Sequence, residues 1–84
     1  MSVHVRYFAA ARDAAGVPGE DVPPGAGLAD TLAGLVAGHA GRPELARVVG
    51  RSTFLVDGRR RDPGDTSPLA DGATLDVLPP FAGG

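Results

Sequence analysis

Few residues in this 84-residue chain have side chains that could carry chemistry, and none of them is a cysteine. Thiolate ligands, disulfides and a cysteine nucleophile are therefore excluded. The histidines are His4 and His39. Neither has a second histidine or a carboxylate at metal-ligand spacing, so both read as partly exposed surface residues and no metal is expected. Arg59-Arg60-Arg61 could hold a phosphate. Asp57, Asp62 and Asp65 flank the run, however, and a solvated, charge-balanced strand edge is the simpler reading. Gly25 and Gly27 lack the Gly-Lys-Ser/Thr continuation of a phosphate loop. What remains is the carboxylate of Gly84, which follows Pro79-Pro80-Phe81-Ala82-Gly83. An unactivated carboxylate is inert at neutral pH, but an acyl-adenylate made from it with ATP is an electrophile open to sulfur or nitrogen. Two glycines at the end remove bulk around that carbonyl. Residues 80–84, extended, reach roughly 16–18 Å, enough to thread from a docked domain into a partner's active site. The paired prolines stiffen the exit and reduce the entropy lost on insertion. On this reading Pro80, Phe81, Ala82, Gly83 and Gly84 enter a partner, Gly84 is the group modified, and no residue of the chain is catalytic.

The elements that must present this end are short and legible. Residues 2–8 alternate, with Val3, Val5 and Tyr7 toward a core and His4, Arg6 and Phe8 away from it, the period of a strand. Residues 9–15 are alanine-rich and suit a short helix that Gly16 and Pro18 end. A brief strand is expected at 19–22 and a loop at 23–27. Residues 28–39 form the main helix, with Leu28, Leu32, Leu35 and Val36 in one apolar stripe and Asp30 in the first turn. A short helical turn is expected within 42–50, with Leu45 and Val48 as its apolar members. A strand at 53–57 places Phe54 and Val56 on one face, and Asp57-Gly58 signals a hairpin. The arginine run then begins a short edge strand. After turns at 62–64 and 68–72, the last strand runs over 73–78 with Leu75 and Val77 inward and Thr74, Asp76 and Leu78 outward.

One good helix across a mixed sheet is an α+β layer arrangement. If the first and last strands lie side by side at the centre they must be parallel, which is the ubiquitin-like β-grasp. A single domain over 1–84 is expected, with a flexible tail at 79–84. A chain of this length has room for a thin core but not for a deep private active site as well. The formal net charge is −2 with a pI of about 5.5, which argues against nucleic acid as a partner. No long apolar run follows a basic start, so neither a signal peptide nor a membrane span is expected, and the cytoplasm is the default location. All 8 basic residues are arginine, so no amine-bearing side chain is available for lysine-linked chains of this protein.

Parity places Phe8 and Leu78 on the face away from the helix, on neighbouring strands, with Phe81 just beyond. An exposed apolar cluster of this kind marks a protein interface.

These features resemble one family over nearly the whole chain. Val3-His4-Val5-Arg6-Tyr7-Phe8-Ala9, the helix from Leu28, Val56-Asp57-Gly58, Pro68-Leu69-Ala70-Asp71-Gly72 and Leu78-Pro79-Pro80-Phe81-Ala82-Gly83-Gly84 are similar to the corresponding segments of the ThiS/MoaD group of ubiquitin-like sulfur carriers. They are most like its molybdopterin synthase small-subunit branch. The resemblance implies a non-catalytic carrier. A ubiquitin-activating-enzyme-like adenylyltransferase would use ATP to adenylate Gly84, and a sulfur donor protein would convert it to a thiocarboxylate. The tail would then deliver sulfur to a pterin precursor inside the molybdopterin synthase large subunit, with no cofactor bound by the carrier itself. Phe8, Arg60, Leu78 and Phe81 would form the partner-binding patch. Arg60 departs from the family, which can carry an apolar residue there, and Asp57 stands where asparagine is usual. Two alternatives keep the same end chemistry: a carrier for thiamine, cysteine or tRNA thiolation, and a ubiquitin-like protein modifier. A third makes the chain a plain interaction module whose Gly-Gly end is incidental.

Overall fold

The computed structural model describes residues 1–80. In chain order the elements are β1 (Val3–Tyr7), α1 (Ala9–Ala15), β2 (Gly19–Val22), α2 (Leu28–Gly38), α3 (Glu44–Val49), β3 (Thr53–Val56), β4 (Arg59–Arg60) and β5 (Thr74–Leu78). The strands form one sheet in the order β2-β1-β5-β3-β4. β1 and β5 are parallel neighbours, and every other pairing is antiparallel. This is the expected β-grasp, with the first and last strands at its centre.

The alternation of β1 translates directly into burial: Val3, Val5 and Tyr7 are inside while His4 and Arg6 face out. On β5, Leu75 and Val77 meet them from the next strand. α2 lays Leu28, Leu32 and Leu35 onto this surface. Burying three leucines contributes roughly 5–9 kcal/mol before chain entropy is subtracted, which is what fastens a helix that carries Gly34 in its interior. Thr31 is buried beside them, and its hydroxyl is satisfied by donating to the Gly27 carbonyl at 2.9 Å. α2 ends one residue earlier than the pattern implies. His39 is its C-cap, with φ −115° and ψ 41°, and its ring is engaged elsewhere.

α3 buries Leu45 and Val49, not Leu45 and Val48. Leu45 and Val49 stand four apart, directly above one another on the helix, so the inward stripe follows that pair and leaves Val48 only partly covered. The hairpin between β3 and β4 has positive φ at both Asp57 (51°) and Gly58 (82°), the conformation an Asp-Gly turn of the primed type requires. Gly19 opens β2 where a side chain would not fit, since a Cβ there would stand 2.6 Å from the Val5 carbonyl oxygen.

The acidic residues around the arginine run do not all balance it. Asp65 does, with its carboxylate 3.4 Å from Arg61 Nε. Asp62 instead accepts the Gly64 amide at 2.7 Å, and Asp57 accepts the Thr74 amide at 2.9 Å. Asp62 closes a local backbone turn and Asp57 ties the hairpin to the start of β5, competing uses that spacing along the chain does not reveal. The Arg61 guanidinium folds back to donate to the Ser67 carbonyl. Asp65 is held below the usual carboxylate range, mainly because the Ser67 amide donates to it at 2.9 Å, with Arg61 a lesser influence.

Candidate functional site

β1 and β5 run the same way, so the residues that leave them emerge at the same end of the sheet. Phe8 leaves β1, and Leu78 closes β5 before Pro79 and Pro80. Phe8 is the N-cap of α1 in an extended conformation (φ −116°, ψ 147°). Its amide donates to the Val77 carbonyl at 3.2 Å and its own carbonyl accepts the Ala11 amide at 2.9 Å. The chain then turns through Ala9 at φ 47°. That left-handed conformation costs an alanine on the order of 1 kcal/mol, and it is tolerated here because the strand and helix on either side fix it. Phe8 remains 38% exposed, as parity implies.

Phe8, Ala9, Arg51, Leu78, Pro79 and Pro80 line an open, mainly apolar groove of about 740 Å³. Two of the residues expected in a partner-binding patch, Phe8 and Leu78, are thus brought together, with Pro80 beside them. Arg60 stands apart. It pairs with Leu55 across β3 and β4, Leu55 pairs with Asp76, and Asp76 with Arg6. These four form one row across the outer face of the sheet, and the groove lies along the next row, where Thr53 pairs with Leu78. Arg60 therefore shares the face but does not line the groove. Phe81, Ala82, Gly83 and Gly84 lie outside the described residues.

The row carries a feature that spacing could not show. Arg6 grips Asp76 through two bonds, Nε to Oδ1 at 2.6 Å and a terminal nitrogen to Oδ2 at 2.8 Å. Asp76 faces outward, as its parity requires, yet is only 6% exposed because Arg6 covers it. The hydrogen bonds and charge of Asp76 hold the Arg6 guanidinium above its ordinary value. The same guanidinium lies 5.5 Å from the Phe8 ring centroid, within cation–π range. Asp76 thus positions Arg6, and Arg6 braces the groove's aromatic wall. The partners are 70 residues apart in sequence, too far for any local signal. Leu55, by contrast, was findable, because it sits between the inward Phe54 and Val56 and must face out.

Both histidines are at least partly exposed, as the sequence implies, and each is paired with a carboxylate. His4 Nδ1 lies 2.8 Å from Asp21 on β2, and the pair is exposed. His39 Nε2 lies 2.5 Å from a Glu20 oxygen that also accepts the Tyr7 hydroxyl at 2.7 Å. The Tyr7 and His39 rings meet edge to face, with centroids 6.3 Å apart. Burial, then the bond and charge of Glu20, hold the Tyr7 phenol well above its ordinary value. This cluster locks the end of α2 onto β1 and β2 and lies away from the groove. Among the described residues no group of three or more His, Cys, Asp or Glu side chains is placed to hold a metal ion. No helix among them is long and apolar enough to cross a membrane.

A β-grasp with an apolar groove where the last strand gives way to Pro79 and Pro80 is the architecture of ubiquitin-like carriers and modifiers. The family model of the ThiS family matches residues 5–84, and the chain belongs to that family. It is therefore a sulfur carrier of the ThiS/MoaD type, a carrying subunit and not a catalyst. It is similar to the molybdopterin synthase sulfur carrier subunit of Chlamydomonas reinhardtii, with 34% identity over 86 residues and full coverage of both chains. Among solved structures it is similar to SAMP1, the small archaeal modifier protein 1, of Haloferax volcanii (27% identity, TM-score 0.79, full coverage of both chains). It is also similar to a chain in the complex of subunits 1 and 2 of the molybdopterin-converting factor of Helicobacter pylori (25% identity, TM-score 0.66, full coverage of both chains).

Proposed function

We propose that this chain is the sulfur carrier of a molybdopterin synthase. The observation that carries the reading is the apolar groove of Phe8, Leu78 and Pro79 at the point where the chain departs toward Gly84. The full-length similarity to a molybdopterin synthase sulfur carrier subunit supports it, as does the similarity to a chain solved as a complex of subunits 1 and 2. In the proposed cycle an adenylyltransferase joins the Gly84 carboxylate to the α-phosphate of ATP and pyrophosphate leaves. A hydrosulfide equivalent from a sulfur donor attacks the carbonyl carbon, AMP leaves, and a thiocarboxylate remains. The large subunit takes the groove, residues 80–84 enter its active site, and the sulfur passes to the pterin precursor. The carrier contributes position and reach: the fixed φ of Pro79 and Pro80 lowers the entropy lost on insertion. It binds no cofactor of its own, and the cycle runs in the cytoplasm, where ATP is made available to the activating partner.

The test is intact-mass analysis after incubation with the activating enzyme, ATP and sulfide. The mass should rise by the exchange of one oxygen for sulfur, and a chain lacking Gly84 should show no change while melting at the same temperature. An unchanged mass with a competent activating enzyme sinks the proposal. A second reading, attachment to target proteins as a modifier, is favoured by the similarity to SAMP1. It requires Gly84 to appear in amide linkage to other proteins, and that product separates the two readings.

A further inference from the structure

We propose that the docking face is charge-selective: Arg51 and Arg60 admit a protein partner that presents an apolar ridge flanked by carboxylates, and they reject a purely apolar one. This rests on the reading above that the groove receives the large subunit. The outer face carries three guanidiniums around the groove. Arg6 is committed to Asp76 by two bonds. Arg51 lines the groove, Arg60 sits one row away, both are exposed, and among the described residues neither forms an ion pair. The anions nearby are already engaged, Asp76 by Arg6 and Asp57 by the Thr74 amide. Three guanidiniums against these two carboxylates leave the face net cationic on a chain whose formal net charge is −2.

Position makes these charges matter. Arg60 is two strands and one row from Leu78, roughly 12 Å between backbones, within reach of a partner seated on Leu78 and Leu55. Arg51 stands two residues before Thr53, at the other end of the same stretch of β3. A partner covering the groove would strip water from both guanidiniums. A covered guanidinium without an acceptor opposes binding strongly, whereas a carboxylate meets its planar fork in two parallel bonds. The pair therefore acts by exclusion as much as by attraction.

The test measures association of the full chain with the molybdopterin synthase large subunit from the same source, over salt from about 20 mM to about 500 mM, which shortens the Debye length several-fold. Wild-type association should slow as salt rises. Arg60→Glu should slow it about tenfold at low salt, as expected for reversing a rim charge, and Arg51→Glu/Arg60→Glu should flatten the salt dependence. Melting temperatures should not move, since both side chains are exposed. Leu78→Asn should weaken binding at every salt concentration with the slope retained. If the double variant binds at the wild-type rate with the wild-type slope, the inference is wrong while the proposed function stands. If the wild type does not bind the large subunit at all, the proposed function falls. The same variants measured on the activating enzyme then decide the arginine assignment, a lost salt slope supporting it and an unchanged one overturning it.

Discussion

Tyr7 offers a test of the fold that composition makes unusually clean. The chain has one tyrosine, no cysteine and, with all 8 basic residues arginine, no lysine. Between about pH 9 and pH 12 the phenol of Tyr7 is therefore the one side chain expected to titrate in the unfolded chain. In the folded protein it is 3% exposed and donates to Glu20, so ionising it would bury a phenolate against a carboxylate 2.7 Å away. Burial first and Glu20 second raise its folded value above the unfolded one. The sign follows. Below about pH 10 both states hold the proton, and the contribution to stability is complete. Above it the unfolded chain releases the proton while the folded one keeps it, so stability falls as pH rises. One unit above an unfolded value near 10, the loss is about 1.4 kcal/mol. For a domain of this size that lowers Tm by roughly 5–10 °C. The assay is thermal melting followed by circular dichroism at pH 9, 10 and 11, with the phenolate absorbance recorded in parallel. Tyr7→Phe should be less stable by about 1 kcal/mol at neutral pH for want of the hydrogen bond, and its stability should be flat across the same window. A phenolate band that grows with a midpoint near 10 while the fold stays intact would refute the reasoning. So would an equal loss of stability in Tyr7→Phe.

Two further outcomes bear on packing and docking. Leu35→Ala, at a site 2% exposed beneath α2, should cost about 2–5 kcal/mol in denaturant unfolding, and a loss below 1 kcal/mol would mean that the helix is not seated as described. Phe8→Asp should leave unfolding within about 1 kcal/mol of wild type, because the ring is already partly in solvent, yet weaken large-subunit binding by more than about thirtyfold in titration calorimetry. Unaltered binding would remove Phe8 from the docking face.

The parts of the fold that local chemistry dictates were legible. The alternation of β1 and β5, the leucine stripe of α2 and the Asp-Gly hairpin each follow from a pattern a few residues long, and the hydrophobic parity that put Phe8 and Leu78 on one face did so without reference to distance. What was not legible depends on pairing across the fold. Arg6 and Asp76 look like two ordinary outward charges until the parallel register makes them opposite neighbours. His39 looks like a helix-end surface residue until β2 brings Glu20 beneath it and Tyr7 completes the cluster. Val49 displaces Val48 from the core because the roll of a six-residue helix is set by what it packs on, and a pattern that short leaves the roll undetermined. Arg60 was placed in the patch by resemblance, and the register that sets it on the same face one row from the groove depends on strand pairing that no local pattern shows.

The topology explains why the groove stands where it does. A carrier has to present a reactive end and an anchoring surface together, and two central strands that run in parallel bring the exits of both to one edge of the molecule. Were β5 antiparallel to β1, Leu78 would lie beside the start of β1, and Phe8 would be a strand length away, about 17 Å. The parallel pair also explains the part-buried ion pair. The outer face of a central strand must be covered or polar, and an unaccompanied Asp76 would be neither stable nor apolar there. Arg6, opposite it in register, neutralises the charge, covers it from solvent and braces Phe8 with the same guanidinium. Groove wall and sheet centre are therefore one construction, and substitutions at Asp76 should disturb both while those on the exposed side of α2 disturb neither.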